Sequence, residues 1–261
     1  MVISRSHLSF KHKQKAILNE TERKDMIKQL KKEIFNFRRK LKFKNFYGKY
    51  INEGDLCFDI GANIGNRTEI FLNLGARVVS VEPVKETYDI LKEKFGKNKN
   101  STILQLGLGS KEGQKDIFIS SISEVCTFSE LFIERCKKQD GYNIEWNTLR
   151  STKVRTLDQL IKDYGVPDFC KIDVEGFETE VLKGLSQPLP LISFEYNSKL
   201  KELALECMDL LSQFESLSYN FSPYEYMTFT FKTWKTKTDF NQFIKELPTE
   251  VKTGDIYVKY K

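Results

Sequence analysis

The sequence Asp55-Leu56-Cys57-Phe58-Asp59-Ile60-Gly61-Ala62-Asn63-Ile64-Gly65 decides the fold that we expect for this chain. Its apolar run from Leu56 to Phe58 predicts a buried strand, because a glycine lies on either side of it. Gly61 and Gly65 permit a tight turn close to a ligand, and helical character follows. A strand, a glycine turn and a helix form the first unit of a doubly wound sheet, where ligands bind beyond the carboxyl ends of the strands.

The composition of the turn indicates which ligand it takes. A dinucleotide fingerprint, Gly-x-Gly-x-x-Gly, uses its second glycine to bring the backbone close to a pyrophosphate. Asn63 and Asn66 stand at the second and third glycine positions, so NAD fits poorly. Asp59, which we expect at the end of the strand, would repel phosphate and attract a cationic ligand. S-adenosylmethionine carries an ammonium and a sulfonium but no phosphate, and the turn therefore favours it over NAD.

Glu82 is the second sign of a nucleoside cofactor. It ends the apolar run Ala76–Val81 and precedes Pro83. A carboxylate about 20 residues after a glycine turn is placed to accept the hydrogen bonds of a ribose diol. Taken by itself, Glu82 could instead be a solvated acid at the end of a strand. Together with the turn, Glu82 and Pro83 predict a nucleoside-cofactor site.

Further strands and helices alternate along the chain, which predicts a mostly parallel α/β sheet with an antiparallel edge strand. We expect strands at 101–106, 115–120, 169–172, 189–197, 216–222, 226–231 and 255–260, the last two as an edge hairpin. Residues 121–150 show little periodicity and predict an inserted loop or lid over the site.

Carboxylates are expected along one rim of this sheet, where several strands end. The family resemblance given below implies methyl transfer to a hydroxyl, which needs a group that removes a proton. The two histidines, His7 and His12, lie in a basic amino-terminal arm. Asp173 is therefore the first candidate for the base, with Glu175 and Glu195 next. Lys171 could assist electrostatically or pair with one of these acids.

A metal ion is the alternative use of the same rim. Asp173, Glu195 and Asn197 could offer oxygen ligands to Mg²⁺, which would hold and acidify an acceptor diol. Our main expectation is a site without a metal.

These motifs resemble the FkbM family of S-adenosylmethionine-dependent methyltransferases. The resemblance rests on Asp59-x-Gly61-Ala62-Asn63-x-Gly65, on Val81-Glu82-Pro83, and on Lys171-Ile172-Asp173-Val174-Glu175-Gly176-x-Glu178. It covers roughly residues 48 to 200 and implies a Rossmann-like methyltransferase fold that O-methylates a sugar, glycan or secondary metabolite.

The resemblance also implies a set of cofactor-binding residues. They are Asp59, Gly61, Ala62, Asn63, Gly65, Thr68, Glu82, Pro83 and Leu106. The chain departs from the family around Leu106, because Gln105-Leu106-Gly107-Leu108-Gly109-Ser110 stands where the family has Asn-x-Ala-x-Gly-Asp. The contact with adenine is the part that this departure affects.

The charge divides the chain into a basic arm at 1–47 and a methyltransferase domain at 48–261. Residues 1–50 hold 15 Lys and Arg against 4 Asp and Glu, a net charge of +11, and the remaining residues carry −5. The arm predicts a helix with one apolar stripe: Met26, Leu30, Ile34, Phe37 and Leu41. Packing of this stripe on the domain is the first expectation, and contact with a membrane surface or an acidic substrate is the alternative.

The cysteines and the apolar segments of the chain bear on its location. The five cysteines lack metal-ligand spacing, and a membrane span and a signal core are both missing, which predicts a cytoplasmic location. A nucleic-acid methyltransferase that uses the arm is an alternative, disfavoured by the acidic domain. A non-catalytic cofactor-binding protein is the other.

Overall fold

The computed structural model describes residues 20–137 and 144–260. It divides into two compact units, the chain up to Leu41 and the chain from Lys42 onward. The first helix, α1 (Glu20–Tyr47), begins in the first unit and ends in the second. In the second unit, the aromatic side chains of Phe43, Phe46 and Tyr47 at the end of α1 are buried.

The main sheet holds β1 (Leu56–Ile60), β2 (Arg77–Val81), β3 (Ser101–Leu104), β7 (Phe169–Ile172), β8 (Leu191–Asn197), β9 (Leu217–Pro223) and β10 (Thr253–Tyr260). Within the described residues these seven strands lie in the order β3-β2-β1-β7-β8-β10-β9. Strands β3, β2, β1, β7 and β8 are parallel to one another. The order reverses direction between β1 and β7, which is the point where doubly wound sheets bind ligands.

Helices connect the strands. They are α2 (Asn66–Asn73), α3 (Lys85–Phe95), α4 (Glu130–Lys137), α5 (Leu157–Tyr164), α6 (Glu178–Lys183), α7 (Lys201–Leu211) and α8 (Lys237–Glu246). Every residue of β1 and of β7 is buried, as expected for central strands covered on both faces. The predicted mostly parallel, doubly wound α/β fold is confirmed.

The carboxyl-terminal part of the sheet differs in detail from the prediction. The reversed strand is β10, which pairs antiparallel with β8 and β9 and so lies one place in from the edge. The prediction of a strand at 226–231 is wrong. Tyr224 and Met227 adopt positive φ angles of 50° and 47°, which a strand does not allow. Phe231 instead bonds through its backbone to the side chain of Asn220 on β9.

A small second sheet comprises β4 (Gly107–Leu108), β5 (Gly113–Ser120) and β6 (Trp146–Arg155), in the order β4-β6-β5. Helix α4 and the first half of β6 fall inside 121–150. The prediction of an irregular loop is therefore wrong for those residues. Trp146 donates its indole N–H to the carbonyl of Val125 at 2.8 Å, which ties β6 to the preceding segment. The lid function stays a prediction.

The structure also shows the state of the cysteines and whether any described helix could span a membrane. The five cysteines are free thiols. Among the helices of residues 20–137 and 144–260, none combines the length and apolar character needed to cross a bilayer.

Candidate functional site

The carboxyl ends of β1, β2 and β7 border a cleft, which we call the rim cleft. Its walls come from the glycine turn, from the residues after β2 and β7, and from the segment after β5. The lining residues are Gly61, Asn63, Glu82, Pro83, Val84, Ile117, Ser123, Glu124, Cys126, Thr127, Phe128, Asp173, Val174 and Glu175.

The glycine turn is joined to β2 and β7 by close backbone contacts. The N–H groups of Gly61 and Ala62 both donate to the carbonyl of Val81 at 3.0 Å. Gly61 has φ = 78°, and a Cβ atom there would lie 1.8 Å from the carbonyl oxygen of Asp173. A glycine is therefore required on two counts, the backbone conformation and the approach of β7. Gly65 is the N-cap of α2, whose first residues face the turn.

Asp59 has a different position from the one expected. Strand β1 continues to Ile60, so Asp59 lies inside the strand and is only 2% exposed. The hydroxyl of Thr68 donates to its carboxylate at 2.5 Å, and Thr68 lies 2.8 Å from the hydroxyl of Ser80. Burial raises the pKa of Asp59. Asp59 and Thr68 thus hold α2 against β1 and do not line the rim cleft.

Glu82 connects the glycine turn to the end of β2. Its two carboxylate oxygens accept the backbone N–H groups of Asn63 and Val84, each at 2.8 Å. The side chain is 5% exposed, and burial raises its pKa against the opposing effect of these hydrogen bonds. Each oxygen keeps a further lone pair for a ligand hydroxyl. Glu82 can therefore shape the turn and bind a diol at the same time.

Three carboxylates form an acidic cluster, defined here as Asp173, Glu175 and Glu195. One oxygen of each lies within 4.8 Å of one oxygen of the other two, a spacing that could also hold a metal ion. Burial and the neighbouring carboxylates raise the pKa values of Glu175 and Glu195 well above the usual range. The cluster can therefore hold a proton or a cation between its members.

Lys171 lies beneath the cluster and is fully buried. Its ammonium contacts Asp173 at 3.1 Å and Asp255 on β10 at 2.9 Å. Burial alone would lower the pKa of Lys171, but the two carboxylates outweigh burial and raise it. Lys171 does not line the rim cleft, and it compensates the charge of one member of the cluster.

A second, smaller cavity adjoins the cluster on the side of α7. It is lined by Gly176, Glu178, Glu195, Asn197, Leu200, Leu203, Ala204 and Cys207. Glu178 is 4% exposed and accepts the N–H of Val174 at 3.1 Å. Burial raises the pKa of Glu178 to about 7.

The structure thus brings some of the predicted site residues together and places others in support. Gly61, Asn63, Glu82, Pro83, Asp173 and Glu175 line the rim cleft, and Glu195 lines the second cavity. Ala62 and Leu106 are 6% and 7% exposed, and Leu106 packs in the main hydrophobic core. His7 and His12 lie outside the described residues.

Sequence reasoning missed Asp255 and the cleft residues between Ile117 and Phe128. Asp255 is 84 positions from Lys171, and only the order of the strands brings the two together. Thr127 donates its hydroxyl to the carbonyl of Glu175 at 2.7 Å, which fixes the backbone of Glu175 in a left-handed conformation with φ = 52°. The one signal available was the aperiodic composition of this segment.

Comparison with known proteins identifies the family. The model of the methyltransferase FkbM domain matches residues 59–221, which is more than half of the chain. The chain belongs to the FkbM methyltransferase family. A hexuronic acid methyltransferase, AglP from Haloferax volcanii, is 31% identical over 147 residues. The match spans 54% of this chain and 54% of that relative, about half of its length.

Solved structures with a similar fold are distant in sequence. Precorrin-6y C5,15-methyltransferase from Geobacter metallireducens is 12% identical, with a TM-score of 0.44 and coverage of 85% of this chain and 87% of that one. An O-methyltransferase from Bacillus cereus in complex with SAH is 16% identical, with a TM-score of 0.41 and coverage of 86% and 81%.

Membership of the FkbM family confirms the predicted cofactor, S-adenosylmethionine. The FkbM match begins at Asp59 and includes the glycine turn, Glu82 and the acidic cluster. The rim cleft is therefore formed mainly by residues of the matched domain.

Replacement of Gly61 by alanine tests the contact between the turn and β7. We expect Gly61→Ala to lower the free energy of unfolding by about 1–3 kcal/mol more than Gly54→Ala does, because the new methyl group meets a backbone carbonyl. Gly54 is the matched control, since it has φ = 88° but open space around its Cβ position. Denaturant unfolding measures both variants, and equal losses would contradict the close approach.

Replacement of Glu178 by glutamine tests its raised pKa. A carboxyl whose folded pKa is raised stabilises the fold below its unfolded pKa of about 4.5, and this stability is lost as the pH rises through about 7. Relative to Glu178→Gln, we expect the wild type to lose about 3 kcal/mol of unfolding free energy across this window.

Glu180→Gln on the same helix is the control for this experiment. A hydrogen bond from Lys183 lowers the pKa of Glu180, so its removal should not flatten the pH dependence. Parallel pH profiles for the wild type and Glu178→Gln, measured by denaturant unfolding, would show that Glu178 is ionised normally.

Proposed function

We propose that this chain transfers the methyl group of S-adenosylmethionine to a hydroxyl group of a sugar or glycan. The observation that carries the proposal is the rim cleft, in which Glu82 and the carboxylates of Asp173 and Glu175 line one space. The name of the relative, a hexuronic acid methyltransferase, supports a sugar acceptor. The free thiols of the five cysteines fit the cytoplasmic location that we propose.

The charge of the cleft favours a hydroxyl over a carboxylate as the acceptor. A hexuronic acid offers both groups, and its carboxylate needs no base because it is already ionised at neutral pH. The acidic cluster would repel such a carboxylate, whereas a hydroxyl group needs a proton acceptor close to the methyl donor. An ether product therefore fits the site better than an ester.

The cofactor is held, in this proposal, by the turn and by Glu82. Glu82, whose oxygens accept the N–H groups of Asn63 and Val84, would hold the ribose hydroxyls through its remaining acceptor capacity. The close contact of Gly61 with Asp173 sets the distance between the cofactor turn and the acidic cluster. Catalysis is then largely positioning, because methyl transfer is an in-line displacement.

Glu175 is the base that the environment favours. The acceptor oxygen bonds to the methyl carbon as the carbon–sulfur bond breaks, the hydroxyl proton passes to the carboxylate, and S-adenosylhomocysteine leaves. Asp173 is paired with Lys171 at 3.1 Å, while burial and the cluster raise the pKa of Glu175. A raised pKa makes the ionised carboxylate a stronger base, and Asp173 orients the acceptor beside it.

Calorimetric titration tests the cofactor site. We expect the wild type to bind S-adenosylhomocysteine and not NAD, and Glu82→Ala to weaken binding by at least about tenfold, because a charged hydrogen-bond acceptor is lost. Glu180→Ala is the control, since Glu180 lies on α6 outside the lining of the rim cleft. Binding of NAD, or equal affinities for both variants, would contradict this assignment.

Transfer of a labelled methyl group to a neutral glycoside and to a glucuronic acid tests the reaction. We expect a product that is stable to mild alkali, as a methyl ether is, whereas a methyl ester would hydrolyse. Glu175→Gln should lower kcat by about 10²–10⁴-fold and remove the acid limb of the pH profile, because the base acts only when ionised. An alkali-labile product would contradict this expectation, because it would show that the carboxylate is the methyl acceptor.

Two controls accompany this assay. Glu180→Gln, outside the acidic cluster, should leave turnover unchanged. Excess EDTA should also leave it unchanged, and a loss that Mg²⁺ restores would reassign the cluster as metal ligands.

A further inference from the structure

We propose that the arm helix, defined as residues 24–41 of α1, binds the surface of an anionic lipid bilayer. Seven large apolar side chains on it are exposed, and six of them share one side of the helix: Met26 (53%), Ile27 (49%), Leu30 (54%), Ile34 (46%), Phe37 (68%) and Leu41 (47%). At 3.6 residues per turn they fall within an arc of about 100°. Every residue of the arm helix that falls in this arc is apolar, so the six form one continuous stripe.

Most of the charged residues around the stripe are basic. Residues 24–41 contain seven Lys and Arg against two Asp and Glu, a net charge of +5. In the helical projection, Arg38 and Lys31 border the stripe on one side, and Glu33 followed by Lys40 border it on the other. Long basic side chains at these borders can extend to lipid headgroups while the apolar stripe enters the acyl boundary. The helix thus complements a negatively charged bilayer surface in both charge and polarity.

Association with a second copy of the arm helix fits the pattern less well. Ile27, Leu30, Ile34, Phe37 and Leu41 do follow the 3-4 spacing of a coiled-coil seam. This seam extends over only about two heptads, and three to four are needed for a stable coiled coil.

Nucleic acid is also a weaker match. Its binding requires basic side chains directed at phosphates and would leave the apolar stripe in water. A bilayer surface uses both features of the helix.

Vesicle co-sedimentation of the full chain tests the proposal. We expect binding to vesicles of phosphatidylcholine that contain phosphatidylglycerol, little binding to phosphatidylcholine alone, and a decline with added salt. Phe37→Gln should weaken binding by about tenfold or more, because Phe37 lies in the stripe. Phe35→Gln should leave binding unchanged, because Phe35 lies on the opposite, basic side of the helix.

These two variants form a matched pair. Phe35 and Phe37 are 67% and 68% exposed and undergo the same substitution on the same helix. Equal effects of the two substitutions, or no binding to the anionic vesicles, would overturn the proposal. It would also be overturned if Phe37→Gln abolished a dimer seen by analytical ultracentrifugation while the wild type ignored vesicles, or if the chain bound duplex DNA and no vesicles. The assay needs no methyl acceptor, so its outcome does not depend on the proposed reaction.

Discussion

The buried ammonium of Lys171 is the constraint on which the rim of the main sheet depends. An unpaired charge at this depth would cost several kcal/mol, so carboxylates must reach it from within the protein. Asp173 does so from the end of β7, and Asp255 does so from β10, with β8 lying between them. At the intervening position of β8 stands Ser193, a small residue paired in register with Lys171. The ion pairs therefore connect the parallel part of the sheet to its reversed strand.

The same pairing makes the acidic cluster unequal. Asp173 shares its charge with Lys171, while among the described residues no basic side chain forms an ion pair with Glu175 or Glu195. Burial and mutual repulsion then raise the pKa values of these two glutamates. A carboxyl group with a raised pKa is a stronger base when it is ionised, which suits it to proton transfer. The position of one buried lysine thus determines which carboxylates are available to exchange a proton.

The parts of the fold that were predictable depend on neighbours in sequence. Strand β1 and the turn at Gly61 could be identified because an apolar run and glycines specify them locally. The burial of Asp59 could not be predicted, because the composition did not show that β1 continues for two residues beyond Phe58. Asp255 was missed because its partner is 84 positions away. The alternating aromatic residues after Tyr224 suggested a strand, but composition does not reveal a positive φ angle.

The rim cleft has two walls that are held in place in different ways. Backbone contacts hold the glycine turn, and a side-chain hydrogen bond holds the segment after β5. On the side of the glycine turn, Gly61 lies against the carbonyl of Asp173 and Asn63 bonds to Glu82, so the turn is held to both neighbouring strands. In the reaction that we propose, this geometry would leave little freedom in the distance between the methyl donor and the cluster. The opposite wall comes from the segment after β5, which reaches the cluster through Thr127. Under the proposed function, substitutions there would change the shape of the acceptor space without moving the glycine turn, so acceptor preference within the family should vary with this segment.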